Sequence, residues 1–157
     1  MANLPGVGRT RAIVLASALA LAGCHNPFSS SGLKGDLEEA RRAWSRQGIT
    51  SYTFKVSQIC FCTPETRGTF AVVVDRGRVA SVTDLETGAP RTPSPLVPLT
   101  VEALFAKVED AIDRDADQIE VRYDPRLGYP LEIAIDFVEL AIDDEVTYVA
   151  SDLAAVR

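Results

Sequence analysis

The spacing of apolar residues along the chain is the feature that most restricts its fold. Two stretches repeat apolar residues about every three to four positions, which is typical of amphipathic helices that pack on a core. Each stretch is followed by three short runs that are rich in β-branched residues or alternate apolar with polar residues, as strands do. The order helix, three strands, helix, three strands predicts an α+β fold, with an antiparallel sheet of about five to six strands packed on one or two helices.

Capping residues place the first helix. Asp36 and Glu39 form a capping-box pattern and Gly48 is suited to end a helix, so we predict a helix over Leu37–Gln47. Trp44 lies on the apolar face of this helix. We therefore predict that Trp44 is a core residue and not a platform for a ligand.

The second helix has the clearest periodicity in the chain, and Thr100 is predicted as its N-cap. The preceding stretch, residues 87–98, holds four prolines and is predicted to be a loop. One apolar stripe of the helix carries Val101, Leu104, Phe105, Val108, Ala111 and Ile112.

Three predicted strands follow each helix. The segment Asp75-Arg76-Gly77-Arg78 is a tight-turn signal, because Gly77 adopts positive φ without steric cost. It predicts an antiparallel meander in the first half of the sheet. The six predicted strands are Ser51–Cys62, Thr69–Asp75, Arg78–Leu85, Gln118–Tyr123, Tyr129–Asp136 and Val146–Leu153.

The N-terminus is predicted to be a targeting segment. Arg9 and Arg11 precede an eleven-residue apolar run, residues 12–22, that is too short for the roughly 20 residues of a membrane-spanning helix. The run ends in Leu21-Ala22-Gly23-Cys24, which resembles the lipobox of bacterial lipoproteins. We expect residues 1–23 to be removed as a signal peptide, and the Cys24 sulfur to carry a diacylglyceryl group that anchors the protein in a membrane.

The mature chain then divides into two parts. Residues 24–35, which are rich in Ser and Gly, are predicted to be the lipidated cysteine and a flexible tether, and residues 36–157 a single domain. His25, and not Asp, follows Cys24, which favours the periplasmic face of the outer membrane where the host has two membranes.

The acidic charge balance restricts the partners of this chain. Loss of Arg9 and Arg11 leaves 14 basic and 22 acidic residues, a net charge of −8. Such a balance disfavours nucleic-acid binding, which needs clustered Lys and Arg. The expected partners are a membrane, contacted through the lipid anchor, and an envelope protein.

Cys60 and Cys62 remain as a pair once Cys24 is lipidated. An oxidising compartment favours a structural disulfide between them, although residues two apart in a strand need a bend to come within bonding distance. Free buried thiols and redox or metal chemistry are the alternatives. His25 is the only histidine, so the predicted domain has no Ser-His-Asp, Cys-His or His-containing zinc site. No catalytic residue, metal ligand or cofactor is predicted.

An acidic run and an aromatic turn are two further candidate binding sites. Asp113, Asp115 and Asp117 have the spacing that begins an EF-hand loop, but Gln118 stands where that loop needs Gly, so a solvated turn competes with calcium binding. Tyr129, in Gly128-Tyr129-Pro130, is either a binding side chain or part of a turn, with a cis bond before the proline as one option.

Several motifs recur along the predicted domain in a characteristic order. They are Tyr52-x-Phe54, Cys60-x-Cys62, Val-Asp-x-Gly-x-Val at Val74–Val79, Thr100 with Leu104-Phe105, and Tyr123-Asp124 with Gly128-Tyr129-Pro130. In these motifs the chain resembles, over most of residues 36–153, the bacterial lipoprotein family catalogued as domain of unknown function 6174. This resemblance implies an envelope lipoprotein with one α+β domain, and it implies no catalytic residues because the family has no assigned activity.

Three functional hypotheses follow. A non-enzymatic binding or assembly module of the cell envelope agrees best with the tether, the small size and the lack of catalytic side chains. A redox protein that uses Cys60 and Cys62 is the first alternative. A protein that binds calcium or a small ligand through Asp113, Asp115 and Asp117 is the second.

Overall fold

The computed structural model describes Met1 and residues 30–156, except Glu139 and Ile142. Residues 2–23 of the predicted signal peptide, Cys24 and His25 lie outside the described residues. Within this part of the chain the predicted α+β fold is confirmed, with two helices and one six-stranded antiparallel sheet. The elements are α1 (Ser30–Gln47), β1 (Tyr52–Cys60), β2 (Gly68–Asp75), β3 (Arg78–Asp84), α2 (Val101–Asp113), β4 (Gln118–Tyr123), β5 (Pro130–Asp136) and β6 (Val146–Ala155).

The sheet has the strand order β3-β2-β1-β6-β5-β4, and every neighbouring pair is antiparallel. Its two central strands are therefore the first and the last described strands. They pair from Tyr52 opposite Ala155 to Cys60 opposite Val146, with one shift of register between Thr53 and Lys55. Each half of the sheet is a meander of three strands, and the two meanders join along this central pair.

Both helices contribute to the core on one face of the sheet. Tyr52, Phe54 and Val56 of β1 are buried, while Thr53 and Lys55 alternate with them on the other face. The α2 stripe is fully buried, as predicted, and the Thr100 hydroxyl accepts a hydrogen bond from the Ala103 N–H (3.0 Å), which confirms Thr100 as the N-cap. Trp44 is buried too, which confirms its core position.

The two helices run antiparallel to each other. Near the start of α1, Lys34 Nζ lies 3.3 Å from Asp113 Oδ1, at the end of α2. Further along, the Arg41 guanidinium donates two hydrogen bonds to the Glu109 carboxylate (3.1 and 2.8 Å), which lowers the pKa of Glu109. The start of α1 is therefore next to the end of α2.

The first helix is longer than predicted. It begins at Ser30 and not at Leu37, so residues 30–35, predicted as part of the tether, are helical, and Asp36 lies inside the helix and does not cap it. The physical reason is Leu33, which extends the apolar stripe by one more turn and packs against the core. The surrounding serines and glycines conceal this turn in the sequence.

The strands begin and end within two residues of their predicted bounds. The Tyr129–Pro130 peptide bond is trans, so the cis option is wrong. Pro130 is the first residue of β5, where a strand tolerates the missing N–H.

Candidate functional site

The sheet has two ends that differ in their surface chemistry. We call the end where α1 begins and β1 finishes the proximal end. It contains Cys60 at the end of β1, Val146 at the start of β6, Asp136 at the end of β5 and Gln118 at the start of β4. Pairing between neighbouring strands brings these four strand termini to the same end of the sheet. We call the opposite end, where α1 finishes and β1 begins at Tyr52, the distal end.

At the distal end, aromatic side chains are buried and their polar atoms have partners. Trp44 Nε1 donates a hydrogen bond to Glu102 Oε1 (2.9 Å), and the Trp44 and Tyr52 rings pack edge to face at 5.6 Å between centroids. The Tyr52 hydroxyl accepts from the Val101 N–H (2.9 Å) and donates to Glu102 Oε2 (3.5 Å). Burial of this phenol raises its pKa. The arrangement joins α1, α2 and β1, and it explains the buried polar atoms without a ligand.

Tyr129 belongs to the same buried cluster. Its ring is 4% exposed and packs edge to face on Trp44 at 6.2 Å. The pKa of its phenol is raised, mainly because the group is buried. A ring in this position supports the turn interpretation of Tyr129, because little of its surface is accessible to a ligand.

Gly128 explains why the turn before β5 needs a glycine. Its φ is +86°, and a Cβ placed there would lie 2.6 Å from the Ala40 carbonyl oxygen and 2.6 Å from the Ala43 Cβ. The turn therefore packs directly on α1. The Asp124 carboxylate holds the turn by accepting from the Arg126 and Leu127 N–H groups (2.9 and 2.7 Å).

The acidic run after α2 does not form a calcium loop. Asp113 lies 3.3 Å from Lys34 Nζ, and Asp115 adopts a left-handed backbone conformation (φ 51°) in the turn before β4. Among the described residues, which include Asp113, Asp115 and Asp117, no group of three or more His, Cys, Asp or Glu side chains could hold a metal ion. The expected ligands of the calcium hypothesis are thus not brought together.

At the proximal end, Cys60 and Cys62 lie at disulfide distance and the structure joins them, with their Cα atoms 5.2 Å apart. The strand ends at Cys60, which supplies the bend that the sequence requires for this bond. The loop directs Phe61 outward, so that its side chain is 80% exposed, and Ile59 beside it is also exposed. The pair therefore holds an aromatic side chain on the surface.

Gln58 contacts this disulfide from the buried side. The residue is 6% exposed, and its Nε2 lies 3.5 Å from Cys60 Sγ and 3.9 Å from Cys62 Sγ. Its Oε1 is buried and accepts no hydrogen bond from the part of the chain that the structure describes. A cavity of about 570 Å³ adjoins it, and Arg67 and Glu86 are among the residues that line this cavity.

The loop between β5 and β6 adds two more exposed apolar side chains to the proximal end. Val138 is exposed, and Leu140 is 92% exposed. Cys60 pairs with Val146, the residue at which the β5–β6 loop ends. The β5–β6 loop therefore adjoins the loop that Cys60 and Cys62 close, which we call the cysteine loop. We call the four exposed residues Ile59, Phe61, Val138 and Leu140 the proximal patch.

Sequence reasoning did not identify the proximal patch. One signal was present: Ile59 interrupts the polar side of the alternating β1 pattern, which is otherwise Thr53, Lys55 and Ser57. A hydrophobic residue on the polar side of a strand is a candidate for contact with a partner. The link between Phe61 and Leu140 depends on strand pairing, which the spacing of residues does not reveal.

The face of the sheet opposite the helices is open. We call it the open face. Lys55 in its middle is paired with Asp152 (2.8 Å), and the other central side chains are short, which leaves a shallow surface. No described helix covers this face. Its residues are Thr53, Lys55, Ser57, Ile59, Thr69, Ala71, Val73, Ser81, Thr83, Thr147, Val149, Ser151, Glu132, Ala134, Asp136, Gln118, Glu120 and Arg122.

Comparisons with known proteins identify one family. A family model described as "Family of unknown function (DUF6174)" matches residues 36–155. This range includes most of α1, all of α2 and the whole sheet. This match confirms the resemblance to domain of unknown function 6174. No curated protein and no solved structure gives a significant match to the chain.

Proposed function

We propose that this chain, which belongs to the DUF6174 family, is a lipid-anchored binding module of the bacterial envelope that has no catalytic activity of its own. Its open face docks a protein partner, and the lipid on Cys24 keeps it at a membrane. The observation that carries the proposal is the uncovered, shallow face of the six-stranded sheet.

The open face has a suitable size for a protein interface. Strands lie about 4.8 Å apart and rise about 3.4 Å per residue, so six strands of about seven residues present roughly 600 Å². A standard interface takes about 800 Å² from each partner, so the open face alone offers about three-quarters of that area.

Short side chains in the middle of the open face favour docking. Ser57 pairs with Thr69 and with Val149, and Ala134 pairs with Thr147. Side chains of this length lose little rotamer entropy when a partner covers them, so more of the interaction energy appears as affinity.

The anchor in this proposal is supported by Leu21-Ala22-Gly23-Cys24. Within the described residues, no helix has the length and apolar character that crossing a membrane requires. The lipid is tested by the mass of the mature N-terminus. We expect a diacylglyceryl group on Cys24, and Cys24→Ser should leave the precursor uncleaved.

The open-face interaction is tested with two matched serine substitutions in the full-length, lipidated chain. Ser57→Arg places a long cation in the middle of the open face, whereas Ser45→Arg places the same group on the exposed side of α1. Partners are cross-linked in membranes, solubilised and recovered with each variant, and circular dichroism checks that both variants are folded.

We expect the wild type and Ser45→Arg to recover the same partner and Ser57→Arg to lose it. Recovery that is equal for both variants would place the interface elsewhere. Recovery of nothing by the wild type would contradict the proposed function.

A redox protein is the second candidate, and one contact favours it. The Gln58 amide lies close to both sulfurs of the cysteine pair, where an N–H donor would stabilise a thiolate after reduction. In that function a dithiol oxidoreductase would reduce the disulfide and be oxidised itself. Thiol–disulfide exchange turnover that is lost in Cys60→Ser would support this candidate over the binding module.

A further inference from the structure

We infer that the proximal patch contacts the surface of the lipid bilayer to which Cys24 is anchored. The inference rests on the proposed lipidation of Cys24, and it adds an orientation: the proximal end faces the membrane and the distal end points away from it.

The direction of α1 provides the first argument. The helix begins at Ser30, and the Lys34–Asp113 ion pair fixes its first turns beside the end of α2 at the proximal end. Cys24 lies six residues before Ser30. A chain of that length spans at most about 20 Å, however it is arranged, so the lipid holds the proximal end close to the bilayer.

The distribution of exposed apolar side chains provides the second argument. The cysteine loop and the β5–β6 loop place Phe61 and Leu140, both more than three-quarters exposed, at the end to which the anchor leads. Aromatic and leucine side chains are the groups that proteins place in the boundary between headgroups and acyl chains. The two cysteines that flank Phe61 are joined by the disulfide, which restricts the loop. Little conformational entropy is therefore lost when the ring enters this boundary.

The charges around the patch specify the kind of lipid. Asp136, Asp143 and Glu145 lie in or beside the loop that carries Leu140. Carboxylates are repelled by anionic headgroups, and this repulsion decays within a Debye length. The proximal end therefore fits a bilayer of zwitterionic lipid, which it contacts through its apolar loops alone.

The test uses added tryptophan as a depth reporter in the full-length, lipidated protein. Phe61→Trp and Leu140→Trp place the reporter in the proximal patch. Val156→Trp places it at an exposed position at the distal end, and serves as the matched control. The only native tryptophan, Trp44, is buried and gives a constant background.

Each variant is reconstituted in phosphatidylcholine vesicles that contain brominated acyl chains, and flotation is measured before fluorescence. We expect all variants to float and the added emission at positions 61 and 140 to be blue-shifted and mostly quenched. The added emission at position 156 should be unquenched. Replacing part of the phosphatidylcholine by phosphatidylglycerol at low salt should weaken the quenching at 61 and 140.

The outcomes separate the two proposals. Failure to float would overturn the lipid anchor and, with it, the orientation. Flotation with unquenched emission at 61 and 140 would keep the anchor but overturn the membrane contact, leaving a protein as the occupant of the patch. Equal quenching at 61 and 156, or stronger quenching with anionic lipid, would also overturn the inference.

Discussion

The distal and proximal ends of the sheet both contain aromatic and polar side chains. They differ in how far these side chains are buried and in whether their polar atoms have partners. At the distal end, Trp44, Tyr52 and Tyr129 are buried, and the Trp44 and Tyr52 polar atoms have partners. At the proximal end, Phe61 is exposed and the Gln58 carbonyl oxygen is buried without a described partner. The distal end therefore stabilises the fold, whereas the proximal end retains features that do not stabilise it and are available for an interaction.

The largest expected effect tests the packing of the distal end. Gly128→Ala should lower the free energy of unfolding by about 3 kcal/mol or more, because the new methyl group would overlap the α1 backbone at a positive φ. Gly88→Ala is the control, since its φ is +69° but its added methyl group would meet no atom within 4 Å. It should lose about 1 kcal/mol from backbone strain alone. Urea denaturation measures both, and equal losses would show that contact with α1 is unimportant.

The next effect tests the polar atoms of the distal end. Tyr52→Phe removes the oxygen that accepts from the buried Val101 N–H and leaves that donor without its partner. Unfolding free energy should fall by about 1–3 kcal/mol, the usual penalty for an unsatisfied buried group. A variant as stable as the wild type would mean that water replaces the hydroxyl and that this end is less tightly packed than the contacts indicate.

A smaller effect is expected for the proximal disulfide. The bond closes a loop of only three residues, for which the chain-entropy model gives about 1.6 kcal/mol as its contribution to stability. The double variant Cys60→Ala, Cys62→Ala should therefore remain folded and lose no more than about that amount. Intact mass with and without reductant tests for the bond in the wild type, where we expect alkylation of Cys60 and Cys62 only after reduction. Unfolding of the double variant would contradict the view that this end contributes little to the fold.

The smallest effect is expected at Gln58, where the sign of the change in stability distinguishes the proximal end from the distal end. Gln58→Leu removes a buried carbonyl that has no described partner, so the free energy of unfolding should stay within about 1 kcal/mol of the wild type or rise. Calorimetry of both proteins under oxidising conditions measures the difference. A clear loss of stability would show that the amide contacts with the two sulfurs matter to the fold.

Local signals in the sequence were sufficient for most of the fold. Thr100 and the stripe of α2 are close together along the chain, so the cap and the buried face could be predicted without tertiary information. The start of α1 was missed because its first turns have poor helix formers, and only contact of Leu33 with the core reveals the additional turn.

The proximal patch could not be predicted in the same way. Ile59 and Phe61 come near the β5–β6 loop only because Cys60 pairs with Val146, and strand pairing over such a separation depends on the whole sheet. Tyr129 illustrates the reverse case. Its tripeptide was correctly associated with a turn, but contact with Trp44 decides that its ring is buried.

The central position of β1 and β6 has a consequence for the order in which this domain folds. The first and last described strands form the middle of the sheet, so β1 cannot obtain its main partner until β6 has been synthesised. Such long-range pairing slows folding, since the loop between the partners must close before their contacts stabilise anything. A chain that crosses a membrane under the proposed signal peptide would stay unfolded, and so competent for translocation, during that delay. The sheet would then close only after the last strand has crossed the membrane.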